Sequence, residues 1–304
     1  MLKRSVCFFG WSVLLAFNSS HTSAELIETN EISIIENYVT KDSLILFNVT
    51  GTLYEPASTL ADGQWRTYFT ERVHAIESDK ASAERLINHV KNDIVNNLHK
   101  KTVEDFTPQL IMNLQKQQIP VLGITQKQMA TPYADNFGLI TSNHLLSLGI
   151  DLEKTLSYLN IKSNDGDPSY SFAFGLIFTN KKPVGPAILA FLNRLEYKPK
   201  KIIMIDNSRH SLENAEATLA LTETKFEGFR YGRSDALKAN FDPILGNIQF
   251  FAFMRKRQEL SDVEAMQIKQ AHPEINFTQM LDTFILELLK DGMNRKKSCY
   301  LIYN

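Results

Sequence analysis

The chain has 304 residues, of which 43% are hydrophobic, so it can build one large core or a core with a smaller attached part. Its 33 basic and 34 acidic residues leave a formal net charge of −1. No strong overall field therefore points to nucleic acid as a partner.

The N-terminal segment has the pattern of a secretory signal peptide. A short basic region precedes the apolar stretch 5–17, and Ala24 closes a cleavage motif of small residues. We therefore expect residues 1–24 to be removed and the mature chain to be periplasmic or secreted. Neither the apolar stretch nor any later segment reaches the length of a membrane-spanning helix, so no membrane association is expected after cleavage. Cys299 would be the single cysteine of the mature chain, which excludes an internal disulfide.

Strand and helix patterns alternate along the rest of the chain, which predicts an α/β fold with a mostly parallel sheet. The predicted elements, in chain order, are a strand at 43–48, a helical region at 86–114, strands at 119–125 and 171–179, a helix at 183–195, a strand at 201–206, a helix capped by Ser208, a strand at 226–231 and helices from 261 onward. The strand at 201–206 is a continuous aliphatic run, as expected of a parallel strand that is covered on both faces.

The helical patterns divide the chain into a core and two helical parts. Residues 25–56 and 116–257 would form the core, and residues 57–115 would form an all-helical insertion after the first strand. Residues 258–304 would be C-terminal helices, which could pack on the core or present a surface to a protein partner. Trp65 lies in the insertion, where it could pack internally or stack on a ligand.

Three of the predicted strands end in polar residues. Asn48, Thr125 and the pair Asp206-Asn207 stand at these ends. Ligands of open parallel sheets bind beyond the carboxyl ends of the strands, so these side chains are expected to meet in one crevice. The sequence Gly51-Thr52-Leu53 after the first strand strengthens the prediction of the fold more than that of an activity.

These stretches resemble haloacid-dehalogenase (HAD)-like proteins and, among them, a group of uncharacterised secreted bacterial proteins, the DUF2608 family. The resemblance covers roughly residues 30–270 and rests on LILFNVTGTLYEP, VLGITQKQMATPYADN and KIIMIDNSRHSLENAEA. It implies a Rossmann-like, three-layer core with a parallel sheet and a small helical cap inserted after the first strand. In intact members it also implies a Mg²⁺-dependent phosphoryl transfer through an aspartyl phosphate.

The resemblance assigns catalytic roles to positions 48 and 50. Asn48 stands where such proteins have their nucleophilic aspartate, and Thr50 stands where they have the acid/base aspartate. An amide oxygen is a poor nucleophile and carries no charge for Mg²⁺. A threonine hydroxyl does not titrate usefully near neutral pH. The chain therefore lacks the two carboxylates of the reaction.

Other positions of the resemblance are better preserved. Thr125 matches the phosphate-binding hydroxyl, with Gln126 beside it as a further candidate for phosphate binding. Asp206 matches the metal carboxylate, whereas Asn207 replaces a frequent second aspartate. The carbonyl of Thr50 could still face a metal. With two negative charges missing, we expect Mg²⁺ to bind weakly or not at all.

The lysine of the family pattern has no direct counterpart. Related sequences resemble a Lys-Gly pair just before the helix that starts near Pro186, and this chain has Val184-Gly185 there. Lys181 and Lys182 lie two to three residues upstream. Either could hold phosphoryl oxygens, and both could equally be solvated turn residues.

Three functions stay open from the sequence. The first is an exported, catalytically degenerate phosphatase-like protein that binds a small phosphorylated ligand or a protein partner. The second is a Mg²⁺-dependent phosphatase or phosphotransferase with atypical active-site residues. The third is an interaction module whose working surface is the helical insertion or the C-terminal helices.

Overall fold

A computed structural model describes residues 26–157, 159, 170–195 and 198–290. The expected signal peptide, residues 1–24, lies outside the described residues, as do Cys299 and the rest of the C-terminal segment from residue 291. Cleavage and export therefore stay predictions. No helix within the described ranges combines the length and the hydropathy of a membrane span.

Strands in the described ranges form a central sheet and a separate ribbon. They are β1 Ile27–Thr29, β2 Ser43–Asn48, β3 Tyr54–Pro56, β4 Lys100–Thr102, β5 Val121–Thr125, β6 Ser171–Ala173, β7 Leu176–Phe178, β8 Lys201–Asp206 and β9 Lys225–Tyr231. The seven-stranded central sheet has the order β1-β9-β8-β2-β5-β7-β6. All its neighbouring strands are parallel except β6 and β7, and β3 and β4 form an antiparallel ribbon.

Helices follow most of these strands. They are α1 Gly63–Ile76, α2 Lys80–Asn97, α3 Thr107–Lys116, α4 Phe137–Ser147, α5 Val184–Arg194, α6 Arg209–Leu219, α7 Asp235–Ala239, α8 Pro243–Lys256, α9 Asp262–Ala271 and α10 Phe277–Lys290. The predicted α/β class, the mostly parallel sheet and the helical C-terminal part are confirmed, and the sheet is consistent with a Rossmann-like core.

Alternate residues of β2 point to opposite faces of the sheet, as a strand requires. Leu44 and Leu46 pack in a buried cluster with residues of α5 and α6. Ile45 and Phe47 pack in another with residues of α3. The central sheet is therefore covered on both sides, which is why β2 is apolar throughout.

Two of the predicted strands have the predicted bounds, β2 and β8. The strand predicted at 119–125 begins later, at Val121, because Pro120 has no N–H for the ladder. The carbonyl of Pro120 still accepts a hydrogen bond from Ile45 N at 2.9 Å. Ser208 caps α6 as predicted, since its hydroxyl accepts a hydrogen bond from Ser211 N at 3.3 Å.

The strand predicted at 171–179 is wrong as one element. The chain turns back at Phe174 and Gly175, which have φ angles of +59° and +71°, so β6 and β7 form a hairpin. A side chain at position 175 would also lie 2.6 Å from the carbonyl oxygen of Leu152. Glycine is the residue that tolerates both conditions.

The insertion predicted at 57–115 is not all-helical. β4 lies within it and pairs with β3, which closes the insertion as a ribbon at its base. In addition, α3 packs on the central sheet, since Leu110, Ile111 and Leu114 share a cluster with Ile45 and Phe47. β4 was missed because Lys-Lys-Thr has no alternation of apolar and polar residues.

The C-terminal helices pack on the insertion. Apolar residues of α8 and α10 share one buried cluster with those of α1 and α2, and α9 packs against α8. We call α1, α2, α8, α9 and α10 the helical lobe. The lobe is thus assembled from two segments of the chain that are separated by most of the core, from β5 to β9.

Trp65 lies at the centre of the lobe and is fully buried. Its ring stacks on Phe69 at 5.3 Å and lies 5.1 Å from Phe250. Its Nε1 donates a hydrogen bond to Asn247 Oδ1 at 3.0 Å. Gly246 makes this contact possible, because a Cβ there would lie 2.0 Å from the indole. The packing role of Trp65 is confirmed.

Candidate functional site: a cationic cavity at the carboxyl edge of the sheet

A cavity of about 810 Å³ lies between the carboxyl edge of the sheet and the helical lobe. The structure brings most of the sequence-predicted site residues to its wall. They are Asn48, Thr50, Thr125, Gln126, Lys181 and Asn207. Asp206 and Lys182 are not on the wall. Lys181 and not Lys182 is therefore the lysine that faces the cavity from this loop.

The side chain of Asn48 is fixed by two hydrogen bonds. Its Nδ2 donates to the carbonyl oxygen of Thr50 at 2.8 Å and to Asn207 Oδ1 at 3.0 Å. The resemblance implies that a metal would be held by the side chain at position 48, the carbonyl at position 50 and the carboxylate of Asp206. In this chain the amide N–H₂ of Asn48 already donates to oxygens that would otherwise be free to bind a cation.

The amide of Asn207 lies between donors and an acceptor. Asn48 Nδ2 and the ammonium of Lys238 each lie 3.0 Å from it, and Asp206 Oδ1 lies 3.2 Å from it. An amide has a single oxygen and can present it to Asn48 or to Lys238, whereas a carboxylate would accept from both. With its oxygen toward Lys238, the amide also donates to Asp206, and Asn48 then keeps its hydrogen bond to Thr50.

Asp206 is almost completely buried beneath the cavity, with 4% of its surface exposed. Its Oδ1 accepts a hydrogen bond from Ser208 N at 2.8 Å. Burial raises the pKa of this carboxyl to about 7, although the Ser208 hydrogen bond and the charges of Lys238 and Arg230 act in the opposite direction.

These residues do not fit a Mg²⁺ site. One buried carboxyl is present where the resemblance implies several charged oxygens, and the carbonyl of Thr50 is engaged by Asn48. Across the described ranges, no group of three or more His, Cys, Asp or Glu side chains is arranged to hold a metal ion.

Lys181 reaches the cavity through an unusual backbone. Asn180 and Lys181 both have positive φ angles, +54° and +65°. This left-handed conformation is costly for side chains other than glycine and is maintained only where surrounding contacts enforce it. One such contact is the hydrogen bond from Lys181 N to the carbonyl of Gln126 at 2.9 Å. Thr125 lies in the same corner, and its Oγ1 accepts from Lys127 N at 3.4 Å.

Sequence reasoning missed several further residues of the cavity wall. Arg66 from α1, Lys100 from β4, Lys127 after β5, His144 from α4 and Lys238 from α7 all line it. Only Lys127 stands near a recognised motif, two positions after Thr125. The others come from α1 of the lobe, from the ribbon strand β4 and from α4 and α7, whose place over the sheet is set by tertiary packing.

The cavity wall carries more positive than negative charge. Five of its described residues are cationic, and two, Glu55 and Asp62, are acidic. Glu55 forms an ion pair with Lys101 at 3.1 Å, and Asp62 caps α1 by accepting from Gln64 N at 2.6 Å. Glu55 is therefore paired with a lysine outside the five cations, whereas Asp62 keeps its negative charge and attracts Lys100.

The crowding of cations is visible in their pKa values. Burial and, to a smaller extent, the nearby charge of Arg66 lower the pKa of Lys100 from its ordinary value of 10.5 to about 8, although Glu259 and Asp62 act in the opposite direction. The pKa of Lys127 is also lowered by burial and by the charge of Arg66, and the charge of Lys181 adds to the effect. Burial and the charge of Lys100 lower the pKa of His144 to about 4, so this imidazole is neutral at physiological pH. An anion in the cavity would relieve the repulsion.

Comparison with known proteins gives the family of the chain. The family described as "Protein of unknown function (DUF2608)" matches residues 28–266. The chain belongs to the DUF2608 family. No solved structure matches it.

Several curated proteins resemble this DUF2608 member along most of their length. An uncharacterized protein of Rickettsia prowazekii is 24% identical over 228 residues, which cover 74% of this chain and 82% of the relative. A protein of Chlamydia trachomatis named "Putative outer membrane protein" is 22% identical over 271 residues, covering 88% and 98%. A protein of the same name from Chlamydia muridarum is 22% identical, covering 83% and 93%.

The buried carboxyl of Asp206 should make stability depend on pH. Its folded pKa of about 7 lies above the ordinary value of 3.8, so the folded state holds a proton that the unfolded state releases between these values. The bound proton therefore stabilises the folded state at low pH, and the free energy of unfolding falls as pH rises from about 4 to 7. Asp206→Asn cannot ionise, and its amide oxygen can still accept from Ser208 N. We expect it to be more stable than the wild type at pH 8 by about 1–3 kcal/mol and equal to it near pH 4.

Urea denaturation at both pH values, in the presence of a chelator, measures this difference. Asp235→Asn is the control, because Asp235 is half-exposed and forms an ion pair with Arg230 at 2.6 Å. That variant should show no gain at pH 8. A wild type as stable as Asp206→Asn at pH 8 would contradict the assignment of a destabilising buried carboxylate.

Proposed function

We propose that this DUF2608 protein is an exported, HAD-like anion-binding protein that has lost phosphatase chemistry and holds a small phosphorylated ligand in the cavity. The observation that carries the proposal is the hydrogen-bonding of Asn48. An amide takes the position of the nucleophile that the resemblance implies and donates to the oxygens that would otherwise face a metal. Neither a covalent aspartyl intermediate nor a charged metal site can form with this arrangement.

The remaining groups support binding of a phosphate. Thr125 offers a hydroxyl, and Lys181 offers an ammonium from a backbone that is held in a costly conformation. Lys127 and Lys238 add charge beside them. Hydrogen bonds from charged donors to phosphate oxygens are about twice as strong as those between neutral groups. The cavity can therefore hold an anion without the help of a metal.

Export is part of the same proposal. The N-terminal pattern of the sequence supports it, and two relatives carry names that refer to the outer membrane. The final destination of this chain beyond the inner membrane is not part of the proposal.

Export can be tested with the full chain expressed in a bacterial host that is then fractionated. N-terminal sequencing of the exported protein should begin at Glu25, directly after the cleavage motif. Leu14→Arg, which interrupts the apolar stretch, should keep the protein in the cytoplasm. An exported protein that retains residues 1–24 would instead indicate an uncleaved anchor.

Binding and turnover test the central claim. With inorganic phosphate and a hexose monophosphate as probes, calorimetry should show binding to the mature wild type. Lys181→Gln should weaken it by about tenfold through the loss of one charged hydrogen bond. Lys182→Gln is the matched control, since this neighbouring lysine is not on the cavity wall, and it should change affinity by less than about twofold.

The same samples should not hydrolyse p-nitrophenyl phosphate when Mg²⁺ is added. Turnover by the wild type that disappears in Asp206→Asn would support the alternative, a Mg²⁺-dependent phosphatase or phosphotransferase with atypical residues. If neither phosphate probe binds, an interaction role for the helical lobe becomes the better hypothesis.

Restoring the acid at position 48 should reveal what its amide contributes. In Asn48→Asp, a carboxylate faces the carbonyl of Thr50 and the amide oxygen of Asn207, and both hydrogen bonds are lost. We expect the free energy of unfolding without metal to fall by about 1–2 kcal/mol. Mg²⁺ should raise the Tm of this variant, because a cation can now bridge the three oxygens.

Thermal unfolding with excess Mg²⁺ measures this, with KCl of equal ionic strength as the reference. The wild type should show no selective response to Mg²⁺. An equal Mg²⁺-dependent rise in both proteins would mean that the amide at position 48 does not prevent metal binding.

A further inference from the structure

The cavity has cations on two walls that come from different parts of the fold. Lys127, Lys181 and Lys238 lie on the wall formed by the sheet edge and by α7. Arg66 and Lys100 lie on the part of the wall formed by α1 of the lobe and by the ribbon strand β4, and the charge of Arg66 also reaches Lys127, whose pKa it lowers. The phosphate corner with Thr125 accounts for the first group. The second group has no role in the function proposed so far.

Arg66 is positioned with most of its donors free. Its Nη1 donates to the carbonyl of Ala61 at 2.7 Å, which orients the guanidinium without neutralising it. A guanidinium has five N–H donors in a fixed planar arrangement, which suits the oxygens of a phosphate or carboxylate. In the described part of the chain, Arg66 forms no ion pair with a carboxylate. It is thus oriented but not satisfied.

Lys100 differs from its neighbour Lys101 in burial and in ion pairing. Successive residues of a strand point to opposite sides. On one side Lys101 is exposed and pairs with Glu55 at 3.1 Å. On the other side Lys100 is partly buried and lines the cavity, and no described carboxylate lies within ion-pair distance of it. Burying an ammonium without a partner costs stability, and a bound anion would offset that cost.

The space between the two walls is suited to the uncharged body of a ligand. Tyr54, Gln64, Thr67 and the neutral imidazole of His144 supply polar groups there, and Ile140 supplies an apolar one. A cavity of about 810 Å³ is in the range that holds a whole small molecule, and it is far larger than one phosphate requires. A monoanion would leave one of the two cationic walls unpaired.

We propose that Arg66 and Lys100 form a second anion-binding subsite, so that the ligand is a small molecule with two separate anionic groups, such as a sugar bisphosphate. This inference rests on the proposed function, since the first anionic group occupies the corner of Thr125 and Lys181. The second group lies against the lobe and the ribbon. The two cationic subsites then favour a ligand that carries two separate negative groups over a ligand that carries one.

Matched probes test the second subsite. A hexose monophosphate and the corresponding hexose bisphosphate are titrated at equal ionic strength, because charge effects are screened by salt. The wild type should bind the bisphosphate at least about tenfold more tightly. In Arg66→Gln and in Lys100→Gln this preference should fall by about tenfold, while affinity for the monophosphate changes by less than about threefold. Lys182→Gln, which is off the cavity wall, should keep the full preference.

The pattern of losses separates this inference from the function on which it rests. Lys181→Gln should weaken both probes, because it acts on the first subsite. If the wild type binds both probes equally well, or if Arg66→Gln and Lys100→Gln weaken both by the same factor, the second subsite is wrong and the first stands. If neither probe binds the wild type, both proposals fall together.

Protonation gives a readout that general destabilisation would not produce. Near pH 8, Lys100 is partly deprotonated in the free cavity, so binding of the bisphosphate should take up protons. Calorimetry in two buffers of different ionisation enthalpy measures this uptake. It should be present in the wild type and in Lys182→Gln and reduced in Lys100→Gln. Equal uptake in all three would contradict a contact between Lys100 and the ligand. Thermal unfolding confirms that each variant is folded.

Discussion

The hydrogen bond from the Asn48 amide to the carbonyl of Thr50 determines the chemistry of the whole cavity. It is a local hydrogen bond at the end of β2, where the resemblance implies oxygens that are free to bind a cation. The same amide nitrogen also bonds Asn207, which links the end of β2 to that of its neighbour β8. Side chains at the sheet edge are thereby satisfied by one another, and the unsatisfied charge in the cavity is positive and belongs to the surrounding walls.

The construction of the helical lobe explains how cations from distant parts of the sequence come to share one space. α1 and α2 enter after β3, and β4 closes the insertion before the chain returns to the core. α8 and α10 then pack on them from the C-terminal side. The buried Trp65 and its hydrogen bond to Asn247 join the two segments. Because α1 is fixed by packing along its buried face, Arg66 on the same helix is held over the sheet edge.

The sequence predicted the parts of the site that depend on local pattern. The end of β2, the aliphatic β8 and the cap at Ser208 are encoded by contiguous residues, and Asn48 and Asn207 were identified because a known motif fixes what they replace. Arg66 and Lys100 could not be found in this way. They are charged residues with no motif around them, and their position over the sheet depends on long-range packing of the lobe. Missing the hairpin at Gly175 had a local cause, since one glycine decides between one strand and two.

The replaced acids and the absence of a fitting metal site are connected through charge. A carboxylate at position 48 and another at position 50 would set two negative charges against the wall cations and would attract Mg²⁺. With an amide and a hydroxyl in their place, a Mg²⁺ ion would enter a cavity whose described wall already carries a balance of three positive charges. Repulsion then acts against the metal and in favour of an anion. In the function proposed above, an amide and a hydroxyl at positions 48 and 50 leave the cavity more positive than two aspartates would, which favours an anion over a cation as its occupant.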